Sequence, residues 1–190
     1  TEYQTRIFQK FVQVRGRGDA YYASRIEPRA AALAAQPASF DPLASVLVEA
    51  RAAGLAVHAW VNVNLAADAG FPPADPRHVV NRHPEWLMVP MELAASIGDP
   101  RGPRFVATLA SWTRKQAASV EGLYTSPISE GAAGHVANVV RDLVARYDVD
   151  GVHFDYVRYP GAAFDYSREA LRAFRAEVVP ELPRREREAL

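Results

Sequence analysis

A carboxylate inside a strand pattern constrains this chain more than any other feature. Residues 149–161 read VDGVHFDYVRYPG, and Asp155 falls between Phe154 and Tyr156 in a run that otherwise has the character of a buried strand. Burying a carboxylate without a partner costs several kcal/mol, so the fold must bring Asp155 to solvent or to a partner. Two other segments share the format: FQKFVQVRGRGD at 8–19 and LAVHAWVNVNL at 55–65 are short, β-branched and aromatic, and a helical pattern follows each.

All three segments alternate. Val57, Ala59, Val61 and Val63 fall on one face of the second segment, with His58, Trp60, Asn62 and Asn64 on the other. In the third, Val152, Phe154 and Tyr156 oppose His153, Asp155 and Val157; in the first, Val12 and Val14 oppose Phe11, Gln13 and Arg15. Between them, Asp41 before Pro42 predicts a helix carrying Leu43, Val46, Leu47 and Ala50 on one face and closed by Gly54. Ser126 and Pro127 predict a second start, followed by Val136, Val139, Val140, Leu143, Val144 and Tyr147 on one stripe. A third helix is expected from Ser167, with Leu171, Phe174 and Val178 inward and Pro180 as its end.

Strand and helix in alternation predict an α/β fold with a parallel sheet and right-handed crossovers. Parallel strands are usually apolar on both faces because helices cover the sheet. A polar second face is accommodated when the sheet closes into a (β/α)₈ barrel, whose inner face lines a lumen with the active site at its C-terminal mouth. Such barrels take about 250 residues and eight strands, so residues 1–190 are expected to form one domain that is a partial barrel. The stretch 65–126 is too long for an ordinary connection and, following a strand, should lie at the mouth, where EWLMVP and GLYTS are candidates to pair. The PRREREAL end has the character of a helix or linker rather than a strand.

Composition narrows the function classes. Twenty-two basic and twenty-two acidic residues cancel and neither sign forms a run, which argues against nucleic acid or an anionic membrane as partner. The absence of cysteine excludes disulfides and thiolate metal sites. No apolar run approaches the roughly 20 residues that cross a bilayer, and the first residues carry no signal-peptide pattern.

In order and spacing, QVRGRGDAYYASRIEP, RHPEWLM and the run from GLYTSPISEG to DGVHFDYVRYP resemble glycosyl-hydrolase-like family ten, glycosidases on a TIM barrel. The resemblance implies barrel strands two to four, a polysaccharide substrate with bacterial peptidoglycan glycan strands among the candidates, and export to the periplasm or beyond; the glycosidase reading itself calls for no cofactor and no obligatory metal. DGVHFDYV is also similar in shape to the DGxDxDxE of family-eighteen chitinases, but Val157 stands at the position of their acid and cannot donate a proton.

Glycoside hydrolysis generally needs two carboxyl groups about 5 to 9.5 Å apart. Asp155 is the candidate for one of them; the other lies on a strand outside the chain or is one of Asp19, Glu85 and Glu130, the last also suited simply to a first helical turn. Asn62 and Asn64 are candidates to bond sugar hydroxyls or to cap loops, and Tyr21, Trp60 and Trp86 to stack on sugar rings. Arg15, Arg17 and Arg158 would hold an acidic sugar or pair with Asp19 and Asp155. His58 and His153, side by side on neighbouring strands, would lie under the sugar or, with Asp155, form a metal site for a hydrolase of another class. A carbohydrate-binding barrel without turnover is the further alternative. GRGD at 16–19 lacks the spacing of a phosphate loop; its glycines suit a tight turn that aims Asp19 at the mouth.

Overall fold

A computed structural model describes residues 9–188. Phe8, at the start of the first expected strand, and Ala189 and Leu190, at the end of the charged tail, lie outside the described residues. In chain order the elements are β1 (Gln9–Arg15), α1 (Pro42–Ala52), β2 (Ala56–Asn62), β3 (Leu65–Ala67), α2 (Val79–Arg82), α3 (Phe105–Lys115), β4 (Leu123–Tyr124), α4 (Glu130–Arg146), β5 (Gly151–Asp155), α5 (Arg168–Ala173) and α6 (Arg184–Arg187), with short 3-10 turns between some of them.

The three alternating segments form one parallel sheet in the order β1-β2-β5. The register sets Phe11, His58 and Gly151 in one row and Gln13, Trp60 and His153 in the following row on the same face, two residues along. Asn62 and Asp155 form the row at the C-terminal edge. On the opposite face Val14, Val57, Ala59 and Val61 are buried under Leu43 and Ala50 of α1 and Leu143 of α4, as the helical stripes predict. Asp41 caps α1 by accepting from the Ala44 amide at 3.0 Å. The helix ends on Gly54, whose φ of 67° is the left-handed turn that a glycine takes without strain.

The pattern departs from the fold in places that have local causes. α4 starts at Glu130, because the Ser126 amide is already bonded to the Trp86 carbonyl at 2.7 Å and residues 126–129 make a turn first. That same bond, with the Met88 amide on the Tyr124 carbonyl at 2.8 Å, realises the expected pairing of EWLMVP with GLYTS. Val144 on the α4 stripe remains exposed. So does Phe154, since β5 is an edge of the sheet and the cluster under α4 reaches Val152 and stops. Ser167 caps α5 as expected, yet Phe174 and Val178 stay exposed on the π-helical turn that follows.

Residues 65–126 are a folded unit with a core of its own. Val79, Val80, Leu87, Val89, Phe105, Leu109 and Leu123 are buried together, with β3 and β4 antiparallel at their edge. α3 within it went unanticipated, although Phe105, Leu109 and Trp112 at i, i+4 and i+7 carry its signal.

Candidate functional site

The C-terminal edge of the sheet is shaped first by glycine. Gly18 takes φ 69° with Val79, the Ala66 carbonyl and His78 within about 3 Å of where a Cβ would stand, so the 16–19 turn is closed to larger residues. The Arg17 amide donates to Asp19 Oδ1 at 2.9 Å and the Tyr21 amide returns to the Val14 carbonyl at 2.9 Å. The turn thus carries Asp19 and Tyr21 back over the end of β1.

Asp155 ends β5. Its Oδ1 accepts from the Tyr156 amide at 2.7 Å, and its carbonyl accepts from the Val63 amide at 2.8 Å. Strict alternation would send Tyr156 outward; its φ of 53° turns the chain in the left-handed region, and its side chain reaches the same space as Asp155. That space is an open cleft of about 370 Å³ lined by Asp155, Tyr156, Asp19, Tyr21, Trp60 and Asn62 among others. Both aspartates that the sequence singles out near the mouth therefore border one cavity, with aromatic rings around them.

Asn62 is fixed in place rather than free. It is buried, its Oδ1 accepts from Trp60 Nε1 at 2.9 Å, and its Nδ2 donates to the Gly16 carbonyl at 2.8 Å. These bonds orient the Trp60 ring at the cleft. Asn64 is buried too and ties loops together: its side-chain Nδ2 donates to the Arg158 carbonyl at 3.4 Å, while its backbone carbonyl accepts from the Thr125 amide at 2.8 Å and its backbone N–H donates to the Tyr156 carbonyl at 3.2 Å. Burial and the nearby Asp19 charge push the Tyr21 hydroxyl above its ordinary pKa, with Arg17 acting in the opposite direction, so it stands in the cleft as a neutral donor.

Other residues expected at the site are placed differently. Arg15 is 1% exposed and pairs with neither aspartate: its guanidinium forks onto Glu27, with Nε at 3.0 and 2.9 Å and Nη2 at 2.8 Å, and its Nη1 meets the Asn62 and Val63 carbonyls. His135 adds a contact of 2.9 Å to the same carboxylate. Burial pushes Glu27 upward, but Arg15 first and His135 second hold its pKa down at about 2. Arg158 turns to Glu121 rather than Asp155, and lies 5.1 Å over the Tyr156 ring. Burial raises the Glu121 pKa, and the hydrogen bonds from Tyr124 and Arg158 outweigh it, so the carboxyl is held below its usual value.

Trp86 does not reach this cleft. It stacks on His83 at 3.8 Å and lies against Gly131, lining a separate hollow beside α4. Glu85, offered as a second acid, contacts His83 at 3.2 Å, and Glu130 sits in the first turn of α4. His58 and His153 belong to successive rows, with Phe11 within 5.4 and 5.0 Å of the two rings. Gly151 opposite His58 leaves room for its ring. Among the described residues no three His, Cys, Asp or Glu side chains converge on a point that could hold a metal ion.

Two acids and several rings thus gather at the C-terminal ends of parallel strands, the face where barrel enzymes carry their active sites. The chain belongs to the glycosyl hydrolase-like 10 family, which matches residues 3–186. Among solved structures it is similar to alpha-L-fucosidase isoenzyme 2 from Paenibacillus thiaminolyticus, at 18% identity and a TM-score of 0.57 over 96% of this chain and 22% of that one. It is also similar to a hypothetical protein from Ruminiclostridium thermocellum, at 15% identity and a TM-score of 0.52 over 95% of this chain and 82% of that one. At these identities the likeness is one of fold, and the chain spans about a fifth of the fucosidase's length. No curated protein matches it in sequence. No helix among the described residues is long and apolar enough to cross a membrane.

Proposed function

We propose that the protein is a glycoside hydrolase, its sheet forming strands two to four of an eight-stranded barrel whose catalytic domain includes residues 1–190. The observation that carries the proposal is the shared cleft of Asp155 and Asp19 at the strand ends. One carboxyl protonates the leaving glycosidic oxygen, and the other acts as nucleophile or draws a proton from water. Trp60, Tyr21 and Tyr156 offer ring faces to the sugar, and Asn62 holds Trp60 in position. Arg17 stands at the rim of the cleft and suits an acidic substituent. Arg15 and Asn64 support the site from within, while His58 and His153 form the layer beneath it.

The substrate class we favour is a polysaccharide, with peptidoglycan glycan strands foremost, met by an exported protein. Support comes from the family, from the open cleft and from its mixture of rings and acids.

The test is turnover of purified peptidoglycan glycan strands by the full-length protein, followed as new reducing ends. Asp155→Asn is expected to lower the rate by about 10²–10⁴-fold with the circular dichroism spectrum intact, and Asp19→Asn to fall in the same range. Undiminished turnover in Asp155→Asn removes it from the chemistry. Glycan that binds to the wild type and is never cleaved points to a binding barrel instead.

A further inference from the structure

A second hollow adjoins the cleft at Asp19. Arg17 and Asp19 also line a second groove of about 380 Å³, between the turn after β1 and the segment that follows β3. Pro28, Pro73 and Phe71 give it apolar walls, with His78, Asp68 and Asp75 as polar ones. Phe71 is 85% exposed, more than any other large hydrophobic side chain among the described residues.

The loop that presents this ring is pinned. Asp68 Oδ1 accepts from the Gly70 amide at 2.6 Å and the Phe71 amide at 3.2 Å, and Pro72 and Pro73 follow with their restricted backbones. Asn81 Nδ2 then holds the Pro73 and Asp75 carbonyls at 2.8 and 2.9 Å. The inner side of the groove is equally set. His78 Nε2 donates to the Arg17 carbonyl at 2.8 Å while Nδ1 accepts from the Val80 amide, which assigns the neutral tautomer. An apolar ring presented to water by a pinned loop, beside carboxylates and adjoining the cleft through Arg17 and Asp19, matches what a pyranose offers: an apolar face to stack and hydroxyls to bond.

We infer that this groove is a second sugar-binding stretch with Phe71 as its stacking platform, so that the glycan runs across Asp19 with units on both sides and is cleaved internally. The inference rests on the glycan-cleaving reading and adds to it that a long chain is the preferred substrate.

The test compares peptidoglycan glycan strands fractionated to disaccharide length and to long chains, using the full-length protein. Phe71→Ala should lower kcat/KM on long strands by roughly three- to tenfold more than on disaccharide-length ones, and Phe71→Trp should recover it. An equal loss on both lengths, or no loss on either, overturns the groove while leaving the cleavage reading intact. If the wild type cleaves neither, that reading fails, and calorimetry on Asp155→Asn with and without Phe71→Ala decides the groove separately. Weaker binding of long strands in the double variant supports it; equal binding, or none by either variant, overturns it.

Discussion

The ends of β1 and β5 each carry a charge to the same edge of the sheet, with Asn62 at the end of β2 between them, and the two ends are treated in opposite ways. At β1, Arg15 is withdrawn from water and both Glu27 carboxylate oxygens are met by its guanidinium, Oε1 by His135 as well. At β5, the Asp155 side chain accepts from its neighbour's amide and otherwise looks into an open cleft. The contrast separates two uses of charge. A fully partnered buried ion is locked to its neighbours and serves position. A carboxylate with acceptor capacity left over, at a strand end and beside a cavity, is free to exchange a proton or meet a substrate.

The largest effect is expected at Glu27. Glu27→Gln leaves Arg15 charged and buried without its counter-ion and should cost about 3–5 kcal/mol in urea unfolding at neutral pH. A loss near zero would mean that the Arg15 corner is not structural. Asp155→Asn, by contrast, should leave the unfolding midpoint almost where it was.

Acid sharpens the same contrast. Glu27 has its folded pKa lowered from 4.5 to about 2, so its contribution to stability is complete above about pH 4.5 and is lost as the pH falls through 2. That contribution is on the order of 3 kcal/mol. Unfolding free energies measured from pH 6 downward should fall across that window in the wild type, and more shallowly in Glu27→Gln; parallel slopes would refute the assignment.

The smallest effect belongs to a pair between the two extremes. Arg158 and Glu121 are both more than a third exposed, so Glu121→Gln should cost only about 0.2–1 kcal/mol, a loss that added salt should shrink. A cost as large as that at Glu27 would show that exposure is not what divides these charges.

Much of this was legible from residue order. The spacing of Leu43, Leu47 and Ala50, the Asp41–Pro42 start and the alternation of Val57, Ala59 and Val61 depend on local geometry, and each reappears in the structure. The alternation also brought Trp60, Asn62 and Asp155 to one face, because side chains two apart along a strand must share a side. Trp86 was misplaced because a long insertion with its own core can carry a ring anywhere, and the pairing of Trp86 with Ser126 set its direction. Tyr156 was misplaced because one left-handed residue ends the alternation.

Residue order alone carries the parallel α/β layout, the greasy face under α1 and α4, and Asp155 on the face opposite, all consequences of period and of what water excludes. Which charges are quenched is settled by long-range packing. Glu27 lies twelve residues from Arg15 and His135 lies 108 from Glu27, and no local rule brings them together. The same holds for Asp19 on the same cleft as Asp155, and for the adjoining groove lined by Phe71. Partnership across such separations depends on how the loop after β1, α4 and, for Phe71, the insertion pack around the sheet, and that is what turns a pattern of residues into a site.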